Sequence, residues 1–167
     1  MANEPELVIR KAVATDAPAV LNLLKRLKTE STTFEDTSDE VDPAAEGKQI
    51  QLISKSNQQL LLLAILDGEV VGLVTALPTS DEQVGEIGVA VRKAYWREGI
   101  GRELMLSGLD WAALSSRYDV IMLTVQKRNQ RAIKLYQDIG FQTTRTFQVI
   151  TSVGEVVEAY EMQLAVK

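Results

Sequence analysis

QLLLLAILDGEVVGLVTALPT, residues 59 to 79, holds two apolar runs separated by a single Asp67-Gly68 pair. Asp-Gly supplies the positive φ angles that a two-residue hairpin requires, so the chain must contain an antiparallel pair of apolar strands. The rest of the fold has to be arranged around that pair.

Ahead of the hairpin, LVIRKAV at 7–13 has strand character. Thr15 then stands as the N-cap of a helix carrying Val20, Leu24 and Leu27 at i, i+4 and i+7. The next stretch carries Glu30, Glu35, Asp36, Asp39, Glu40, Asp42 and Glu46 with no basic residue among them, and reads as a loop leading into a second helix near 43–56.

Behind the hairpin, a fourth strand at about 84–91 alternates, with Ile87, Val89 and Val91 on one face and Glu86, Gly88 and Ala90 on the other. Met105, Leu109 and Ala112 mark the stripe of a following helix. VIMLTV at 120–125 is apolar without alternation, the pattern of a strand covered on both faces. NQRAIKLYQDIGF is helical from Asn129 with Gly140 as its C′ residue, and closing strands near 142–150 and 155–166 meet at Ser152-Val153-Gly154. The order is βααβββαβαββ, without repeat, low-complexity tract or linker. It describes one mixed α/β (α+β) domain spanning 1–167.

The side-chain inventory narrows the chemistry. The 167 residues include 23 acidic and 18 basic side chains, giving a formal charge of −5. That balance argues against nucleic acid or an anionic membrane as partner, so any anion site must be local. With neither cysteine nor histidine, disulfides, thiolate nucleophiles, Cys/His metal sites and imidazole bases are excluded, and no metal is expected. Carboxylates, Tyr, Lys, hydroxyls and backbone amides remain. MANEPELVIRKAV has no signal-peptide pattern, and no apolar run reaches about 18 residues, so a soluble, cytoplasmic protein is expected.

The stretch VAVRKAYWREGIGRELMLSGL, residues 89–109, turns from strand to helix at Gly99 and Gly101. The first amides of a helix lack partners and sit at the positive end of its dipole, where phosphate binds. Arg97 and Arg102 bracket the point, whereas Arg92 reads as surface. A dinucleotide fingerprint would need glycine at Leu104, and a Walker loop would need glycine at Trp96 and lysine at Arg102, so both fail. On these grounds the turn is either an anion site or an ordinary strand-to-helix connection.

Arg97-Glu98-Gly99-Ile100-Gly101-Arg102, in R-x-x-G-x-G form, resembles the acetyl-CoA-binding motif of the GNAT N-acetyltransferase superfamily. EIGVAV before it, NQRAIKLYQDIGF after it and the element order resemble that family across nearly the whole chain. The resemblance implies a mostly antiparallel sheet whose fourth and fifth strands splay apart, and acetyl-CoA as co-substrate. It implies that the amides from Arg97 to Arg102 hold the pyrophosphate and that Val89, Ala90 and Val91 pair with the pantetheine arm. Asn129 corresponds to the residue that contacts that arm, with Ala132 on the same helical face, and Tyr136 to the general acid near the sulfur. Glu86 resembles the family's general base. Read as residues alone, Tyr136 is equally a buried aromatic and Glu86 a salt-bridged strand carboxylate.

The expected function is transfer of acetyl from acetyl-CoA to a primary amine by direct attack in a ternary complex. The alternatives are an acyl-CoA-binding sensor or subunit without catalysis, and an unrelated nucleotide-binding α/β protein. The acidic 30–46 segment corresponds to the wall of the acceptor site, and a homodimer through sheet edges or C-terminal strands is in keeping with the family. Phe34 and Trp96 receive no role.

Overall fold

Asp67 and Gly68 do turn the hairpin: their φ angles are 48° and 83°, and they join β2 (Leu60–Leu66) to β3 (Glu69–Pro78). The structure, a computed structural model, describes residues 6–30 and 42–167. Most of the acidic 30–46 segment, Phe34 included, lies outside the described residues. The remaining elements are β1 (Leu7–Lys11), α1 (Ala17–Glu30), α2 (Pro43–Ser54), β4 (Val84–Val91), α3 (Ile100–Ser115), β5 (Val120–Gln126), α4 (Gln130–Ile139), β6 (Gln142–Ile150) and β7 (Val156–Ala165). Short 3-10 turns precede α1 and follow β4. The order is the expected βααβββαβαββ.

The seven strands form one sheet in the order β1-β2-β3-β4-β5-β7-β6, antiparallel throughout except between β4 and β5. Two apolar layers hold it. On one face, Ala17, Val20, Leu23 and Leu27 of α1 and Ile50 of α2 cover Leu61, Leu63 and Leu73. On the other, Ile100, Leu104, Met105, Leu109 and Ala112 of α3, with Ile133 and Tyr136 of α4, cover Leu62, Val74, Ile87, Ile121 and Leu123. Each fully buried aliphatic side chain in these layers contributes roughly 1.5–3 kcal/mol of transfer free energy.

Two local expectations are corrected. Thr15 does not cap α1: it lies inside the 3-10 turn Ala14–Asp16 that leads into the helix, and the Asp16 carboxylate caps that turn, accepting from the Val13 amide at 2.7 Å while it pairs with Arg10. β5 is not covered on both faces. Ile121, Leu123 and Val125 are buried, but Thr124 on the other side is exposed, because α1 and α2 pack on β2 and β3 and leave the β5 side open. Among the described residues no helix is long and apolar enough to cross a membrane.

The β4–β5 seam positions the site. β4 pairs with β3 from Gly85 to Val91, all but its first residue. With β5 it shares only three rungs, Val84↔Val120, Gly85↔Ile121 and Glu86↔Met122. β5 meanwhile stays paired with β7 from Val120 to Gln126. From Ile87 onward the two central strands therefore diverge, leaving one edge of β4 without a neighbour.

Candidate active site

The opening begins where Glu86 meets Met122 and ends at the Gly99 turn. Ladder alternation decides which polar groups of β4 face it. The Arg92 amide donates to Val71 of β3 at 2.9 Å, so Val91, one residue earlier, must point the opposite way. Its carbonyl accepts from the Trp96 indole at 2.7 Å. By the same alternation Val89 aims its N–H and C=O into the opening, whereas Ala90 spends its own on Leu73 of β3.

At the far end the chain enters α3 through two left-handed residues, Arg97 at φ 70° and Gly99 at 79°. Gly99 is the helix N-cap, and nothing lies within 4 Å of where its Cβ would be. A side chain there would meet no protein atom; the conformation and the open approach are what demand glycine. The first helical bond runs from Glu103 N–H to Gly99 C=O. None of the six amides from Arg97 to Arg102 donates to an acceptor among the described residues. A row of free amides at the positive end of a 16-residue helix is able to take an anion.

α4 closes the other side. A Cβ on Gly101 would lie 3.8 Å from both Leu135 of α4 and Val91 of β4, so turn, strand and helix converge there. Asn129 is the N-cap of α4: its Oδ1 accepts from the Ala132 amide at 3.3 Å, which leaves its NH2 without a partner among the described residues. Ala132 is half-buried against the same core as Tyr136. Tyr136 is 8% exposed and packs edge-to-face on Phe141 at 6.0 Å. Burial pushes its phenol up to about 12, and its hydroxyl has no hydrogen-bond partner among the described residues.

Glu86 lies on the sheet face opposite α3. Solvent reaches the residue, yet crowding around its carboxylate raises the pKa, with the charge of Glu161 adding to the shift. Glu161 stands across β5, opposite Thr124, which is two residues beyond the Glu86 partner Met122. It is held by Thr144 Oγ1 at 3.1 Å and Arg145 at 3.6 Å. Sequence reading missed Glu161; its signal was the period-two pattern of β7, which puts it on the face of Thr124.

Arg92 is not a surface residue. It is largely buried and bridges Glu30 of α1 and Glu69 of β3 at 3.2 and 3.0 Å, while Glu30 also accepts from the Lys93 amide at 2.8 Å. Glu30 thereby ties α1 to the end of β4. Among the described residues there is no metal-binding group of three His, Cys, Asp or Glu.

The model of the acetyltransferase (GNAT) family matches residues 20–141. The L-amino acid N-acetyltransferase AaaT of Escherichia coli K12 is 28% identical over 161 residues, covering 94% of this chain and 96% of that protein. N-acetyltransferase family 8 member 3 of Rattus norvegicus is 32% identical over 85 residues, which span 48% of this chain and 37% of that protein. Among solved structures, a GNAT-family acetyltransferase from Streptococcus pneumoniae superposes with a TM-score of 0.89 at 28% identity, covering 96% and 99% of the two chains. The yncA protein of Salmonella typhimurium, solved with its cofactor acetyl-CoA, shares the fold with a TM-score of 0.83 at 20% identity, over 97% and 95%. With a family model spanning most of its length, this chain belongs to the acetyltransferase (GNAT) family.

Proposed function

We propose that the chain transfers an acetyl group from acetyl-CoA to a primary amine, both bound at once. The observation that carries this reading is the free edge of β4 running into six amides that are unpaired among the described residues. An extended, amide-bearing arm that ends in a diphosphate matches both parts. The amides from Arg97 through Glu98, Gly99, Ile100 and Gly101 to Arg102 hold the pyrophosphate, and Val89 and Val91 pair with the arm on either side of Ala90. The Asn129 NH2 donates to an amide carbonyl of that arm, and Ala132 leaves it room. The relative solved with acetyl-CoA supports the same ligand.

The chemistry follows from the groups that line the opening. An amine arrives as ammonium and must lose a proton before its lone pair can attack; Glu86 takes that proton, directly or through water. The N–C bond forms at the thioester carbonyl, and the Val89 N–H receives the charge that develops on its oxygen. The C–S bond then breaks, and Tyr136 gives its proton to the departing sulfur. A phenol raised to about 12 stays protonated until that moment. With neither Cys nor His in the chain, direct attack is favoured over a covalent acetyl-enzyme. Free amino acids are the first acceptors to try, because the relative aligned over nearly all of both chains is an L-amino acid N-acetyltransferase.

The experiment is incubation with acetyl-CoA and a panel of amino acids, polyamines and peptides, followed by free thiol and product mass. Thiol release that requires an amine, with a product 42 mass units heavier than that amine, is the expected result. Binding of acetyl-CoA without amine-dependent thiol release would make the protein a sensor instead.

A further inference from the structure

Five of the chain's nine arginines hold a carboxylate: Arg10, Arg26, Arg92, Arg128 and Arg145. The other four hold none among the described residues. Arg117 lies against the Tyr118 ring. The remaining three, Arg97, Arg102 and Arg131, come from the turn and from the start of the helix beside it, and the Lys93 ammonium is likewise without a carboxylate. Glu98 and Glu103 stand in the same stretch yet bridge none of these cations. A chain of net charge −5 thus leaves four cations uncompensated at one end of the β4–β5 opening.

Their arrangement is specific. Trp96 is fixed by its bond to the Val91 carbonyl, and the Arg131 guanidinium lies over its ring at 4.7 Å, with the Lys93 ammonium 5.9 Å from the same ring. Arg131 sits in the first turn of α4, where the helix dipole opposes a cation. Burial lowers its pKa, and the nearby charge of Arg97 lowers it further. An anion held by Arg131 relieves each of these costs, which the Trp96 ring offsets only in part.

Resting on the acetyl-CoA reading, we infer that Arg131, oriented on Trp96 and assisted by Lys93, binds the 3′-phosphate of coenzyme A. The pyrophosphate accounts for the amide row with Arg97 and Arg102. A second anion, a phosphomonoester dianion on the same nucleotide, accounts for the two cations left over. Trp96 is a positioning residue in this arrangement. It holds a planar guanidinium face-on, so that the outward N–H groups present a fork to two phosphate oxygens.

The test is calorimetric titration of coenzyme A and of 3′-dephospho-coenzyme A into the wild-type chain, Arg131→Gln and Trp96→Leu. A charge-assisted contact of this kind corresponds to about a tenfold preference of the wild type for the 3′-phosphorylated form. Arg131→Gln should weaken binding of coenzyme A by that factor, leave the dephospho form unchanged and so erase the preference. Trp96→Leu should erode it in part. Equal binding of the two ligands by the wild type, or equal weakening of both by Arg131→Gln, overturns the assignment while leaving the acetyl-CoA reading intact. Failure of both ligands to bind the wild type overturns that reading and this inference together.

Discussion

The two ends of the β4–β5 seam are built by opposite means. At the closed end a Cβ on Gly85 would come within 2.6 Å of the Tyr118 ring; Tyr118 is fully buried, stacks edge-on against Trp111 and donates its hydroxyl to the Gln58 carbonyl at 2.6 Å. Both groups of that bond are satisfied, and only the buried Nε of Arg117, which lies over the same ring, lacks a partner among the described residues. At the open end Val89 points its amide into a gap, and among the described residues six consecutive amides have no acceptor and four cations have no carboxylate. One end spends its interactions on the fold and the other withholds them. Unpaired amides at the positive end of a helix, with cations beside them, leave a place where an anion can bind.

The largest effect should come from attacking the closed end. Tyr118→Ala removes a buried aromatic and orphans the Gln58 carbonyl, and should cost roughly 3–5 kcal/mol of stability, read as a lower denaturant midpoint at unchanged slope. A loss below about 1 kcal/mol, the ordinary level for a point substitution, would mean the seam is not pinned there. The open end should respond in the opposite sense. Tyr136→Phe removes only a hydroxyl that the described protein does not use, so melting temperature and acetyl-CoA affinity should hold while kcat falls about a thousandfold, or roughly 4 kcal/mol. Because burial raises this phenol to about 12, its ionisation should leave the wild-type rate untouched at neutral pH. The stability held by the neutral phenol is complete below its ordinary value near 10 and is lost as pH climbs to about 12. A rate in Tyr136→Phe equal to the wild type would strip the residue of its part in the chemistry.

Glu86 stands on the last shared rung, between the two regimes. Its carboxylate is raised by burial and then by Glu161, so the ionised form needed to accept a proton disappears as pH falls through that raised value. Glu86→Gln should lower kcat/KM for the amine by about a hundredfold and abolish the acid limb of the pH profile. It should not lower the melting temperature at neutral pH, where the fold disfavours the charge being removed. A destabilised variant with normal turnover would return Glu86 to the closed, structural end of the comparison.

How much of this was legible in the sequence follows the same division. The hairpin at Asp67-Gly68, the stripe on α3 and the start of a helix at Asn129 are written in neighbouring residues, and they stand where local chemistry put them. Interactions that cross the chain were not legible. Arg92 reads as surface because its partners Glu30 and Glu69 lie 62 and 23 residues away. Thr15 falls inside a 3-10 turn instead of capping α1, because Arg10 and the Val13 amide both bind the Asp16 carboxylate and start the turn at Val13. The one-sided cover of β5 depends on where α1 and α2 come to rest. Arg131 did carry a local signal: a cation in the first turn of a helix works against the dipole, and such a residue is worth questioning wherever an anion site is suspected nearby.

The smallest effect isolates the coupling between the two carboxylates. Glu161 does not touch the reacting groups in the proposed mechanism; it acts on Glu86 by charge alone, as the second cause of that group's raised pKa after burial. Glu161→Gln deletes the charge. It also releases Arg145 from its 3.6 Å contact, leaving an uncompensated cation on the same face. Both changes favour an ionised Glu86, so both lower its pKa and the signs add. The acid limb of kcat/KM should therefore move to lower pH while the plateau above it stays where it was. Burial persists in the variant, so the limb should stop short of the ordinary carboxylate range. Rescue of the wild-type profile by Glu161→Asp, which restores the charge, would show that electrostatics rather than packing carries the coupling. A limb that stays in place in Glu161→Gln would leave burial as the sole cause and remove β7 from the acceptor side of the site.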